Sequence, residues 1–353
     1  MRGLRVIVAA AALLAAPASA DTIDALVAAA RNRDGIPGVA LLVMRAGRVE
    51  RIGTYGLANV EHRIPVTRAT MFETGSLGKQ FTAAAVLLLA ERGRLALDDR
   101  IDKYLPAGPP GWEAITIRHL LDHTSGIRDS EDGGEIFDLR HEYSDAELIA
   151  VLQSFPLDFA PGTRWKYNNS GYILAGIIVT RVSGMFYADF LARELFRPLG
   201  MRTARIISDT DIVPSRAAGY LRTPAGIRNQ DFVSAALNAT GDGSLYLSLE
   251  DWSAWIAALD RRALLLPASY DAFWGRTRTS TGEVLDHAYC WDYTSIDGHA
   301  VLEFDGSWQG FRTAIARDPA TQLTVVVLAN LAEAEPERIA RAALVAAVGW
   351  RQH

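Results

Sequence analysis

Residues 81–90 constrain this chain more than any other stretch. From Phe81 to Ala90 the one polar residue is Thr82, and Gly93 follows soon after. An apolar run with no polar face reads as a buried helix closed by a glycine. Just ahead of it stands Glu73-Thr74-Gly75-Ser76-Leu77-Gly78-Lys79, which puts Thr74 or Ser76 near the helix N-terminus. Residues i and i+3 share a helix face, so the Ser76 hydroxyl and the Lys79 amine are expected to meet. A helix N-terminus and a buried setting both weigh against positive charge. A neutral amine there is able to take the serine proton and activate a weak nucleophile.

Composition sharpens this reading. Of 36 basic residues only Lys79, Lys103 and Lys166 are lysines. Arginine cannot give up its proton in a protein, whereas lysine can. A lysine kept beside a serine therefore stands out.

Residues 1–20 have the pattern of a signal peptide. Arg2 and Arg5 form a basic start, Val6 to Ala16 is apolar and too short to span a bilayer, and Ala18-Ser19-Ala20 suits a peptidase. The expected address is periplasmic or secreted, with Asp21 the new N-terminus. No cysteine follows the apolar stretch, which weighs against a lipid anchor. Losing Arg2 and Arg5 takes the formal charge from −5 to −7. That balance argues against nucleic acid and anionic membrane as partners. No later apolar run reaches transmembrane length, so no integral membrane segment is expected after signal removal. Cys290 is the single cysteine. It excludes an intrachain disulfide and, between Tyr289 and Trp291, reads as a buried core residue.

Along the chain, residues 21–31 have helical periodicity. Val39 to Met44 and Val49 to Gly56 read as a hairpin around Ala46-Gly47. Thr116 to His123 is a short expected helix, with His119 and His123 read as histidines bonded to backbone rather than as bases. Residues 128–143 are charged and Gly-rich, and by composition are expected to form a surface loop. Helices follow from Ser144 to about Ser154, Tyr172 to Val182, Phe186 to Phe196 and Glu250 to Leu259. From about 285 the pattern turns strand-like: Tyr289–Tyr293, Ala300–Phe304, Phe311–Arg317 and Leu323–Ala329. Residues 306–310 are expected as one of the separating turns. Residues 336–348 close the chain as a helix.

Strands at both ends and helices between them imply an α+β fold. One antiparallel sheet is built from both chain ends and flanked by terminal helices, with a mainly helical domain inserted. On this reading 21–70 and 262–353 form a discontinuous sheet domain, and 71–261 the helical domain carrying Ser76 and Tyr167.

Two further stretches carry chemistry. Tyr167-Asn168-Asn169 lies between a turn and a helix. A phenol is a usable base or proton relay if a nearby ammonium lowers its pKa. An Asn side chain both donates and accepts. Gly306-Ser307-Trp308-Gln309-Gly310-Phe311 reads equally as a turn whose backbone N–H groups donate to an oxyanion and as a hairpin with no role. There is no G-x-S-x-G elbow, no H-E-x-x-H or Cys/His cluster and no phosphate-binding glycine loop. These absences disfavour an α/β-hydrolase, a zinc peptidase and a nucleotide enzyme.

Together the three stretches resemble the serine β-lactamase and penicillin-recognising D,D-peptidase superfamily, in particular its class C-like branch. That branch includes D,D-carboxypeptidases, D-aminopeptidases and β-lactamase-like carboxylesterases. Ser76-Leu77-Gly78-Lys79 is similar to the nucleophile motif, and Tyr167-Asn168-Asn169 to the Tyr-x-Asn motif. Residues 120–126, 196–201 and 306–311 match supporting stretches.

The resemblance implies a serine hydrolase that works through a covalent acyl-enzyme on a small ester, amide or peptide, with no cofactor and no metal. Ser76 is the implied nucleophile, Lys79 and Tyr167 the acid–base pair, and Asn169 a substrate-orienting group. The N–H groups of Ser76 and Ser307, beside Gly306, form the implied oxyanion hole. One position departs from the pattern. The family carries Lys or His two residues before the glycine, and here Phe304 stands there. Recognition of a substrate carboxylate is thereby weakened. Asp305 and Glu303 would repel an anion, and Arg312 on the next strand is the candidate to restore a charge. A true β-lactamase or D,D-carboxypeptidase, and a non-catalytic sensor that kept the fold, are the competing expectations.

Overall fold

The computed structural model describes residues 20–208, 210–230, 232–237 and 240–349. The expected signal peptide lies outside them except for Ala20, which opens helix α1 (Ala20–Arg33).

The N-terminal hairpin pairs β1 (Gly38–Arg45) with β2 (Arg48–Asn59). Ala46 and Gly47 between them both have positive φ, 48° and 72°. A turn of that hand matches the twist of paired strands. Two short strands follow, β3 (Ile64–Pro65) and β4 (Phe72–Glu73). The middle of the chain holds α2 (Lys79–Glu91), α3 (Ile117–Leu121), α4 (Asp145–Gln153), α5 (Asn169–Ser183), α6 (Tyr187–Leu191) and α7 (Arg197–Leu199). Short strands β5 (Arg205–Ile206), β6 (Tyr220–Thr223), β7 (Gly226–Asn229) and β8 (Leu245–Leu247) lead to α8 (Leu249–Arg261) and α9 (Pro267–Trp274). The chain then returns to the sheet as β9 (His287–Ala288), β10 (Trp291–Ile296), β11 (His299–Trp308), β12 (Phe311–Asp318) and β13 (Leu323–Ala329). It closes with α10 (Pro336–Val348).

The main sheet runs β3-β2-β1-β13-β12-β11-β10-β9. All its pairings are antiparallel, and β1 meets β13 in the register Val39↔Ala329 to Arg45↔Leu323. The two chain ends are thus woven into one sheet. Asn330 fastens the junction. Its Oδ1 accepts from Gly38 N at 2.7 Å, and its Nδ2 donates to Leu57 O at 3.1 Å and Ala218 O at 3.0 Å.

Strand β13 reads as one apolar run because it is covered on both faces. On one face Val39, Leu41, Val325 and Val327 pack with Val27 of α1 and Leu344 of α10. On the other, Ala40, Leu42, Val326 and Leu328 join the larger core with Phe81, Trp252 and Trp255. The Phe81 and Trp255 rings lie 4.4 Å apart. Helix α2 sits inside this core with every residue from Lys79 to Leu89 buried, as its unbroken apolar run predicts.

Several expectations are corrected. No side chain caps α2; a 3-10 turn over Gly75–Gly78 feeds it instead, so Thr74 and Ser76 are free for other partners. The helix expected over 116–123 stops at Leu121, because His123 takes a positive φ of 59°. Tyr289 and Cys290 are not strand but connect β9 to β10. Gly306, Ser307 and Trp308 are not a turn but the end of β11, and the turn is Gln309-Gly310. Gly306 is needed for close approach rather than for a bend: a Cβ there would run into Thr74 O and lie 3.1 Å from Ser76 N. Helix α9, in a stretch where no element was expected, starts on Pro267.

Candidate active site

Three segments far apart in sequence meet at Ser76. Thr74 N donates to Leu245 O at 2.9 Å, and Thr74 O accepts from Thr313 Oγ1 at 2.6 Å. Strand β8 and strand β12 thus grip the turn before the serine. Gly75 touches β11 so closely that a Cβ would stand 2.6 Å from Ser307 N. Gly306 approaches as closely, a Cβ there lying 3.1 Å from Ser76 N, so the two glycines bring the backbones of the serine turn and β11 together.

The Ser76 hydroxyl lies 3.0 Å from Lys79 Nζ and 2.5 Å from the Tyr167 hydroxyl. Lys79 is fully buried. Its Nζ also donates to Asn169 Oδ1 at 2.7 Å and to the carbonyl of Asp242 at 2.6 Å. This geometry suits both forms of the amine. An ammonium has three donors for three acceptors. A neutral amine has two donors for Asn169 and Asp242, and its lone pair faces the serine O–H. The proton can therefore move between Ser76 and Lys79 without rearranging the shell.

Tyr167 departs from the expected behaviour. Burial raises its phenol pKa and outweighs the lowering by Lys79 and Ser76. A resting phenolate is disfavoured, which leaves the phenol as a hydrogen-bonding relay. Its ring packs on His123 at 4.8 Å. Asn168 caps α5 by accepting from Gly171 N at 2.7 Å, and that cap sets Asn169 as the first helical residue, facing Lys79.

The segment expected to be a surface loop supplies part of the site. Asp129 and Ser130 are buried. Asp129 Oδ2 accepts the Asn169 backbone N–H, and Glu131 Oε1 accepts from Asn169 Nδ2 at 3.3 Å. The Asn169 amide is thereby oriented with its oxygen toward Lys79. No spacing within residues 128–143 marks these two acids; only the downstream Tyr-x-Asn match fixes where they dock.

The histidines behave as bonded structural groups. His119 forms a capping box with Thr116. His123 Nδ1 accepts from Asn168 N at 3.0 Å, and burial holds its pKa well below the usual value. Cys290 is buried, and burial pushes its thiol up to about 12, which makes it a poor nucleophile.

Beside Ser76 opens a cavity of about 390 Å³. Tyr167, Asn169, Phe304 and Ser307 line it, as do three residues without a sequence signal: Trp165, His287 and Asp292. Glu131 and Asp305 add carboxylates. Among the described residues the lining holds no Lys or Arg. Phe304 therefore belongs both to the core and to the cavity wall. Arg312 does not replace the missing charge: its Nε donates to Ala332 O at 2.7 Å, and it does not line the cavity. Glu303 is likewise turned away, bonded to Arg341 Nε at 2.7 Å. A larger cavity of about 610 Å³ lies beside Glu73 and Arg216 and contains no Ser–Lys pair.

Residues 23–349 match the Beta-lactamase family. The chain is 28% identical over 310 residues to penicillin-binding protein 4* of Bacillus subtilis (strain 168), across 83% of this chain and 68% of the relative. It is 30% identical over 316 residues to a D-aminopeptidase of Gluconobacter oxydans (strain 621H), across 87% of this chain. The chain spans only 58% of that relative's length. Among solved structures, an octameric penicillin-binding protein homologue from Pyrococcus abyssi aligns with a TM-score of 0.81 at 25% identity, covering 93% of this chain and 77% of its own. A class C beta-lactamase aligns with a TM-score of 0.78, covering 94% of this chain and 96% of its own; at 22% identity this is a likeness of fold.

Proposed function

Because the chain belongs to the Beta-lactamase family, a family of serine hydrolases, we propose that it cleaves small esters or amides through an acyl-enzyme on Ser76. The observation that carries this reading is the Ser76 hydroxyl held between Lys79 Nζ and the Tyr167 phenol. Ser76 Oγ attacks the substrate carbonyl and gives its proton to Lys79. The new C–O bond leaves an oxyanion, which the N–H groups of Ser76 and Ser307 receive. Such donors stabilise the transition state by roughly 3–4 kcal/mol each. Lys79 returns the proton through Tyr167 to the leaving group as its bond to the carbonyl breaks. Water then repeats the sequence and frees Ser76. Asn169, itself held by Asp129 and Glu131, keeps Lys79 in place beside the substrate cavity.

The cavity wall supports a substrate without a carboxylate. Phe304 presents apolar surface where a cation would serve an anion, and Glu131, Asp292 and Asp305 are acidic. A lost charge-assisted hydrogen bond costs about 1.5–3 kcal/mol, roughly 10–150-fold in acylation. The same wall suits a substrate bearing an amine, which favours an amidase or aminopeptidase over a β-lactamase or D,D-carboxypeptidase. The pattern of residues 1–20 supports a periplasmic or secreted address.

Labelling with a fluorophosphonate tests the nucleophile. Wild type should take one adduct by intact mass, and Ser76→Ala none; turnover or labelling surviving in Ser76→Ala would end the assignment. A neutral ester and a penicillin then test the pocket. Wild type should prefer the ester, and Phe304→His should gain on the penicillin relative to the ester by about 10-fold or more.

A further inference from the structure

Asp305 is a carboxylate of the catalytic cavity with no partner of its own. It follows Phe304 on β11 and, like Ser307, is exposed where that strand borders the cavity of Ser76. Side chains two apart on a strand leave the same face about 7 Å from one another. A short substituent therefore spans from the Ser307 N–H, the donor assigned to the oxyanion, to the Asp305 carboxylate.

The neighbouring carboxylates already have partners. Asp292 Oδ1 lies 2.6 Å from His287 Nδ1. Glu131 Oε1 accepts from Asn169 Nδ2 at 3.3 Å, and Glu303 is bonded to Arg341. Among the described residues the Asp305 side chain has neither a hydrogen bond nor an ion pair. Arg312 lies opposite Ser307 on β12 and directs its Nε to Ala332 O. Burial raises the Asp305 pKa, and Arg312 and Lys79 offset this only in part through space. A substrate that fills the cavity strips water from this carboxylate. A desolvated anion is destabilising unless the substrate supplies the matching charge.

The rest of the wall favours the same sign. Its described residues include no Lys or Arg. The Trp165 indole lines the cavity and is 39% exposed, and an aromatic face attracts a cation, quaternary ammonium included. Asp292, Phe304 and Asp305 also line a smaller cavity of about 120 Å³ toward α10, which Glu337 borders. That recess gives a head group room beside Asp305.

We propose that Asp305 is a specificity-determining residue whose carboxylate takes an ammonium carried by the substrate a few bonds from the reacting carbonyl. The proposal rests on the reading of Ser76 as an acylated nucleophile and deepens it by placing the substrate's charge.

Two substrate pairs test it, each exchanging a trimethylammonium for a tert-butyl group of the same shape. The p-nitrophenyl ester of γ-(trimethylammonio)butyric acid and its tert-butyl analogue vary the acyl half. Acetylthiocholine and its tert-butyl analogue vary the leaving half. In both charged members four bonds separate nitrogen from the carbonyl carbon. Wild type is expected to prefer the charged member of at least one pair by about 10-fold or more in kcat/KM. The pair that shows the preference identifies the half bearing the cation. Asp305→Asn keeps the size and removes the charge. It should lose most of the preference, chiefly through KM, while turnover of the neutral member stays within about threefold. Asp305→Glu should keep part of the preference, and Asp305→Lys should reverse it. Fluorophosphonate labelling of Ser76 should persist in all three variants. A wild type that prefers neither charged member overturns the proposal. So does a preference that survives in Asp305→Asn, or an equal loss on charged and neutral members. If Asp305→Asn is not soluble, an unchanged preference in Asp305→Lys overturns it. Absence of labelling in wild type would instead remove the acyl-enzyme reading on which it stands.

Discussion

The two faces of the main sheet are built from the same strands and filled by opposite rules. Under α1 and α10 the filling is aliphatic, with Val27, Val325, Val327 and Leu344 in contact and Tyr220 the large polar-tipped member. Under α2, α5 and α8 the core is larger, and within or beside it Glu73, Lys79, His123, Asp129, Asn169 and Asp242 are buried. Some of their atoms lack partners, including Glu73 Oε2 and Asp242 Oδ1. Burial raises the Asp242 carboxyl more strongly than Lys79 lowers it. The first face contributes through apolar burial alone. The second holds polar groups in a dry setting, where each hydrogen bond and charge acts more strongly but an unpaired one is destabilising. The difference teaches that the site is assembled at the expense of packing on one side and underwritten by simple packing on the other.

The strongest way to break this comparison is at Lys79. If its role is to exchange a proton inside a saturated shell, Lys79→Arg should be nearly as damaging as Lys79→Ala, by roughly 100-fold or more in acylation, the usual scale for a general base. Guanidinium keeps the charge but cannot serve as the base. Near-native single-turnover acylation in Lys79→Arg would show that charge alone matters on the site face.

The opposite face is tested by Leu344→Ala. Truncating a fully buried leucine should lower stability by about 2–5 kcal/mol, read as a lower urea midpoint. The rate of fluorophosphonate labelling in the folded fraction should stay unchanged. A labelling rate that falls with stability would mean that the two faces are not separable.

The smallest expected effect concerns Glu73. Its carboxyl is raised to about 8, chiefly by burial, and Tyr246 donates to it at 2.8 Å. The folded pKa lies above the model-peptide value near 4.5, so between those limits the native state binds more protons than the unfolded chain. Stability contributed by this group is therefore present at acid pH and is lost as pH rises through about 8. The full span is on the order of 1–4 kcal/mol. Wild type should lose melting temperature from pH 5 to 8, and Glu73→Gln should flatten that slope. A parallel slope in the variant would assign the pH dependence to other groups.

Much of this architecture is written locally in the sequence. The all-apolar stretch after Lys79 marks α2, and Trp252, Trp255 and Ile256 share a face of α8. The alternating short strands after 285 define most of the sheet. Ser76 and Lys79 meet as their i, i+3 spacing leads one to expect, and Tyr167 and Asn169 join them as the family resemblance implies. What escapes a linear reading is whatever depends on docking. Asp129 and Glu131 lie in a stretch without periodicity, and their partner Asn169 is 38–40 residues away. His287 and Asp292 become a pair only through strand register. Gly306 was expected in a turn because glycine most often punctuates chain direction. Its role here is to let a strand approach another backbone, which leaves no local trace.

Gly75, Gly243 and Gly306 come from three remote parts of the chain and leave no room for side chains where they meet: a Cβ on Gly243 would run into the carbonyl of Gly75, and one on Gly306 into that of Thr74. This junction gives the protein a built-in clock. No fragment containing Ser76 alone carries the contacts that shape its turn, and closing such long loops is slow because their entropy is lost before the contacts form. During refolding, reactivity at Ser76 should therefore appear last, after helix content has returned and only once both chain ends have joined the sheet. A nascent or partly unfolded chain carries a serine that is chemically silent, so the nucleophile is armed by completion of the fold itself.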